Sequence, residues 1–228
     1  MFFGFDALYW LMIGPALLLA LWAQGKVSSA YERYSRVRAV NGLTGAQVAE
    51  SLLRSAGIHD VRVEPIRGHL TDHYDPRKKV VRLSEGVYYG SSVAAQGIAA
   101  HEVGHALQHA TGYVWLGLRN AIIPATQFGS QLAFPLFFLG LIMSSPPLQN
   151  LGILLFSVAV AFQVITLPVE FNASARALAS LAGGGYLQPA EVRGARSVLQ
   201  AAALTYVAAM VMAVMQLLYL LSLRDRRE

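Results

Sequence analysis

His101-Glu102-Val103-Gly104-His105 is the segment of this chain whose residue types and spacing could do chemistry. On a helix, side chains four residues apart share a face about 5–6 Å from one another, so two imidazoles at this spacing can reach one metal ion. The glutamate beside the first histidine points along the neighbouring face, toward a water held by that ion. Zinc lowers the pKa of such a water to about 7, and an adjacent carboxylate can take its proton and later pass it to a leaving amine. The pattern thus nominates His101 and His105 as metal ligands and Glu102 as the general base of a peptide hydrolase. Its bland alternative is a pair of histidines satisfied inside a helical bundle. His109 extends the series, but it stands about 12 Å from His101 along a helix axis, too far for both to bind one ion at ~2.1 Å. The chain has no cysteine, which excludes thiolate ligands, cysteine nucleophiles and disulfides.

The motif needs a helix to carry it. Ser91 or Ser92 can cap one that runs to about Ala110 and stops at Gly112, built largely of small residues that allow close packing. Upstream, residues 26–40 read as a basic helix on the membrane surface ended by Asn41-Gly42. Thr44 and Gln47 then form a capping box that opens a short helix ending at Gly57. Residues 61–66 alternate as a strand does, Asp75-Pro76-Arg77-Lys78 is a turn, and residues 80–83 form a further strand, giving a sheet of two or three strands. The strand near 79–83 is expected to offer an edge to an extended substrate, or else only to stabilise the sheet.

Around this segment the sequence is poor in charge. Of 228 residues 55% are apolar and 14% charged, and Ala7–Gly25, Asn120–Val169 and Ser197–Leu223 carry no charge at all. About 20 apolar residues cross a bilayer, so the first and last stretches are one span each. The middle one is two, divided at Ser144-Ser145-Pro146-Pro147. Spans are expected near 7–23, 124–143, 150–168 and 201–223. This excludes a free soluble enzyme, a disordered chain and a secreted disulfide miniprotein. Twelve of the 18 basic residues lie between Lys26 and Arg119, and three more lie between the third and fourth spans. Basic loops stay in the cytoplasm, so both polar segments are expected to face it, against the basic tail Arg224–Glu228. The net charge of +5 is explained by topology and anionic lipid, and no nucleic-acid-binding pattern is present.

A catalytic zinc takes a third protein ligand and keeps one position open. Glu170 meets the requirement of lying on the same side as His101 and His105, and it is the lone acidic residue between Glu102 and Glu191. A carboxylate at the mouth of a span is costly without a function, the alternative being a snorkelling partner of Arg176. Glu191 and the His69, Asp72, His73 and Asp75 loop are reserve ligands. His73, Tyr74, Tyr88, Arg176 and Tyr206 are candidates to stabilise an oxyanion, with His73 and Arg176 preferred.

Asp72-His73-Tyr74-Asp75-Pro76, Val81 to Tyr88, Ala99 to His109 and Leu167-Pro168-Val169-Glu170-Phe171 together resemble the YugP-type family of bacterial neutral membrane zinc metallopeptidases. The likeness covers nearly the whole chain. It implies one Zn2+ per chain on His101 and His105, with Glu102 as general base. The related HtpX-type proteases take a glutamate after a later span as third ligand, and by that resemblance the role falls on Glu170. An aspartate four residues beyond the ligand glutamate usually orients a metal histidine in such enzymes, whereas Ser174 stands there, so Asn172, Ser174 or a residue elsewhere is expected to take that part.

The expected architecture is mainly α, a polytopic membrane bundle of about four spans with a small cytoplasmic α+β zincin-like subdomain carrying the motif helix. Its divisions are an anchor (1–25), a cytoplasmic region with the motif helix (26–119), a transmembrane hairpin (120–169), a cytoplasmic helix with the third ligand (170–200) and a last span with tail (201–228). The expected activity is zinc-dependent endopeptidase action, through a zinc-activated water, on membrane or membrane-proximal polypeptides at the bacterial cytoplasmic membrane. An intramembrane protease and a nonenzymatic metal-binding scaffold are the alternatives. The first would need an aspartate in a later span, and none is present. The second has no use for Glu102.

Overall fold

A computed structural model describes residues 7–226, so the first six residues and Arg227 and Glu228 of the basic tail lie outside the described residues. Among the described residues seven helices and three strands follow in order: α1 (Ala7–Ser35), α2 (Gly45–Ser55), β1 (Arg62–Ile66), β2 (His73–Asp75), β3 (Val80–Ser84), α3 (Glu85–Tyr88), α4 (Val93–Ala110), α5 (Val114–Ile142), α6 (Pro146–Gly183) and α7 (Pro189–Asp225). The molecule is mainly helical, and α1, α5, α6 and α7 are long and apolar enough to cross a membrane. Contacts divide it into an apolar helical unit (7–23, 118–167 and 204–226 of the described residues) and a mixed unit (24–117 and 168–203).

In the apolar unit, α5 and the first half of α6 form a hairpin. Pro146 supplies no amide hydrogen and begins α6, where a missing N–H costs nothing, while Ser144 turns the chain at φ 51°. Gly140 and Gly152 let the two backbones touch, since a Cβ on Gly152 would stand 2.7 Å from the Ala133 carbonyl oxygen and the Phe137 amide nitrogen. Ala133, Phe137, Leu141, Ile153, Phe156 and Leu220 fill the contact, and Tyr9 meets Tyr219 edge to face at 5.1 Å.

In the mixed unit, α1 ends at Ser35, earlier than the expected boundary at Asn41, because Arg38 leaves the helix to bridge Ser92. Thr44 and Gln47 form the reciprocal capping box that starts α2, and Gly57 takes φ 71° just past its end. The sheet order is β1-β3-β2, with β1 parallel and β2 antiparallel to β3. β3 is therefore the central strand and not the edge that the sequence suggested, since both of its sides are hydrogen-bonded. The strand edges belong to β1 and β2. Val80, Val81 and Leu83 are fully buried, as a strand paired on both sides requires. α2, α3, β2 and β3 pack on α4, whose N-cap is Ser92.

Two side-chain amides fasten this unit. Buried Gln96 donates to Asn41 Oδ1 and Leu43 O, both at 2.7 Å, while Asn41 donates to Gln96 Oε1 at 3.1 Å and to Tyr186 O at 2.7 Å. α6 does not stop at Pro168, where the span was expected to end. One unbroken helix carries the chain from the apolar hairpin through Glu170 to Gly183, a proline being tolerated in such helices when its freed carbonyl finds another partner.

Overpacking a tight helix contact costs about 1–3 kcal/mol, whereas an open helical glycine gains about 0.5–1 kcal/mol on becoming alanine. Gly152→Ala is thus expected to lower the melting temperature of detergent-purified protein, and Gly14→Ala, with nothing within 4 Å of its Cβ position, to hold or raise it. Differential scanning fluorimetry reads both.

Candidate metal centre and active site

α4 presents His101 and His105 on one face, and α6 presents Glu170 to them. Glu170 Oε2 lies 3.3 Å from His101 Nε2 and 3.6 Å from His105 Nε2. Four ligands placed tetrahedrally at ~2.1 Å from one ion stand about 3.4 Å apart, so these separations fit a zinc ion bound by all three. The donor chemistry agrees, with two imidazole nitrogens and one carboxylate oxygen mutually within 4.8 Å. The carboxylate of Glu170 is almost wholly buried, and an anion so placed needs positive charge beside it.

The approach of α4 to α6 rests on Gly104, inside the motif. A Cβ there would be 2.5 Å from the Ala173 carbonyl oxygen and 3.0 Å from its carbon. On α6, Val169, Glu170, Ala173, Ala177 and Leu181 form a buried stripe at helical spacing, so Glu170 is an acid set in an otherwise apolar seam. Next along α4, Gly97 lies against Ala195 of α7.

The outer nitrogens of the two imidazoles have partners. His101 Nδ1 meets Ser174 Oγ at 3.1 Å, and His105 Nδ1 meets Gln108 Oε1 at 3.0 Å. Gln108 donates in turn to Val169 O at 2.7 Å and Asn172 Oδ1 at 3.0 Å, and Asn172 Oδ1 also accepts from Arg176 Nε at 2.8 Å. Ser174 therefore touches a motif histidine directly, while Asn172 reaches one only through Gln108. Sequence reasoning passed over Gln108. Its signal was position, one turn beyond His105 on the same side of the helix.

Glu102 is buried at 7% exposure. Burial pushes its carboxyl above the usual range, with Glu170 and Asp72 adding to the rise and His101 and His105 opposing it. Burial works against a charged His105, but the hydrogen bond to Glu170 and the charges of Glu102 and Glu170 raise it overall.

The remaining sequence candidates have other engagements. His73 on β2 lies between Thr71 O at 2.9 Å and Arg82 Nη1 at 3.3 Å. Tyr74, also on β2, is 2.8 Å from His109 Nδ1, and burial together with Asp60 and Asp75 pushes its hydroxyl up to about 12. Arg176 lies over the Tyr113 ring at 5.9 Å. The reserve ligands stand outside the His-His-Glu group. Glu191 accepts from Val40 N and Gln188 N at 2.8 Å, Asp72 accepts from Ser84 N at 2.7 Å, and Asp75 holds the turn through Arg77 N and Lys78 N. His69 packs edge to face on Tyr31 at 5.1 Å. Tyr88 packs against the core of the mixed unit, and Tyr206 falls in the apolar unit.

Gly104→Ala, which forces α4 and α6 apart beside both histidines, is expected to weaken zinc binding by at least about 10-fold in a chelator competition assay. Gly97→Ala, whose Cβ would come no nearer than 3.2 Å to Ala195 and meet its methyl group first, is expected to change it far less.

The geometry agrees with comparison to known proteins. A family model described as "Putative neutral zinc metallopeptidase" matches residues 9–225. The chain is 54% identical over 203 residues to the "Putative membrane protease YugP" of Bacillus subtilis (strain 168), covering 89% of this chain and 90% of that relative. No solved structure matches it. An extended match of this kind, together with four helices among the described residues apolar enough to span a membrane, makes the protein a member of the neutral zinc metallopeptidase family.

Proposed function

We propose that this protein is a membrane-integral endopeptidase that cleaves membrane or membrane-proximal polypeptides at the cytoplasmic face of a bacterial inner membrane. One zinc ion per chain is held by His101, His105 and Glu170. The observation that carries this reading is the placement of Glu170 Oε2 at 3.3 and 3.6 Å from the two Nε2 atoms. When bound, zinc supplies Lewis acidity toward a scissile carbonyl and brings the acidity of water near neutral pH. Glu102 takes the proton of the attacking water and returns it to the leaving amine nitrogen. Its burial suits the first step, because a carboxyl raised above its usual range is a stronger base toward the attacking water than an exposed one. Ser174 and Gln108 hold the rings of His101 and His105. His73, Tyr74 and Arg176 are the side chains proposed to meet substrate, Tyr74 as a hydroxyl that stays protonated across the physiological range.

The name of the Bacillus relative supports a protease in a membrane, and the concentration of basic residues in 26–119 and 170–200 supports a cytoplasmic site. An intramembrane protease is less well supported, since Glu170 lies beyond the charge-free stretch that ends at Val169.

Glu102→Gln is expected to keep zinc at the wild-type level and to lose about 10²–10⁴-fold in peptide cleavage. Glu170→Ala is expected to lower zinc content measured by elemental analysis, and stripping zinc with a chelator to abolish cleavage until the metal is restored. Full cleavage by Glu102→Gln would overturn the mechanism, and full zinc content in Glu170→Ala would remove Glu170 from the ligand set. Orientation has its own test, made easy by the absence of cysteine. Ser55→Cys should react with an impermeant maleimide only after the membrane is opened, and Met143→Cys should react in intact cells with a permeable outer envelope.

A further inference from the structure

Gln108 is fully buried on α4, three residues beyond His105, and is itself neither a proposed ligand nor the general base. Its surroundings determine which way its amide faces. The Val169 carbonyl, 2.7 Å from one end, can only accept, so that end is the Nε2 amino group. The same group donates to Asn172 Oδ1 at 3.0 Å, an atom that is oxygen because it also receives Arg176 Nε at 2.8 Å. The other end of Gln108 is then Oε1, and it faces His105 Nδ1 at 3.0 Å. An amide oxygen only accepts, so the proton of a neutral His105 must sit on Nδ1. The lone pair is thereby left on Nε2, the atom 3.6 Å from Glu170 Oε2. His101 has no such compulsion. Its Nδ1 meets the Ser174 hydroxyl, which can donate or accept.

We propose that Gln108 is a positioning residue that locks His105 in its Nδ1–H form and ties it, through Val169 and Asn172, to the stretch of α6 that carries Glu170. The proposal rests on the reading that His101, His105 and Glu170 hold zinc. One carboxamide then does two things at once. It sets the tautomer of a ligand on α4, and it anchors that ligand to the helix bearing another, so both present their lone pairs before metal arrives.

The test uses full-length protein in nanodiscs, labelled with ¹⁵N-histidine, stripped by chelator and held at a pH where the imidazoles are neutral. In the wild type His105 should show a protonated Nδ1 and an unprotonated Nε2. In Gln108→Leu it should shift to a tautomer mixture, and zinc affinity in a chelator competition assay should fall about 10- to 100-fold. Ser174→Ala should leave the His105 signature as in the wild type. Asn172→Ala, which keeps the carboxamide but releases one of its two acceptors, should give a smaller change in the same direction and serves if Gln108→Leu does not fold. An unaltered His105 tautomer in these Gln108 or Asn172 variants, or zinc affinity within about twofold of wild type, overturns the proposal. The two readings fail differently. If the metal assignment is wrong, the wild type takes up no zinc or Glu170→Ala keeps its full zinc content, while the tautomer measurement still decides the part of Gln108.

Discussion

The metal site depends on the close approach of the α4 backbone to that of α6, where Gly104 meets Ala173. At an ordinary helix spacing of about 8–10 Å a carboxylate on one helix and two imidazoles on the other could meet at many angles. With no side chain at Gly104 the helices come closer, and Glu170 is delivered into the notch between His101 and His105. The cost is an anion sealed in an apolar seam, several kcal/mol if it were left uncompensated. Compensation by a divalent cation is the solution that the donor atoms fit.

The polar groups around that seam are arranged in series. Ser174 and Gln108 support one imidazole each, and Asn172 joins Gln108 to Arg176. The contacts of Ser174 with His101 and of Gln108 with Asn172 and Val169 run between α4 and a single stretch of α6, so displacement of one helix would disturb both rings together. The sheet stands outside this series. It packs on α4 through β2 and β3, with β2 as the edge strand that carries His73 and Tyr74.

What could be read from the chain alone follows the range of the interactions. The pair His101 and His105 is a matter of four residues on one helix, and the capping box of Thr44 and Gln47 of three, so both were legible. Glu170 could be singled out because it is a lone acid after 50 uncharged residues. Gln108 escaped notice because a neutral amide gives no such contrast, and its use depends on a carbonyl 61 residues away. β2 has three residues, too few to show an alternation, and exists because β3 pairs with it. The parallel partnership of β1 with β3 is likewise nonlocal, which is why β3 looked like an edge. The run of α6 through Pro168 was hidden by treating a proline as an end. Within the motif, Val103 and Gly104 occupy positions that a pattern leaves open, yet one is fully buried and the other faces backbone.

The order of the chain adds a consequence for biogenesis. His101 and His105 are synthesised before the apolar hairpin of 118–167, and Glu170 follows directly after it. In the proposed topology the cluster is split across a double crossing, and a newly made chain holds two of its three residues until both strokes of the hairpin have been completed. A molecule stalled after one stroke would leave its carboxylate on the far side of the bilayer from its histidines. In that topology maturation of the centre reports correct insertion, and a precursor inserted wrongly lacks the assembled cluster.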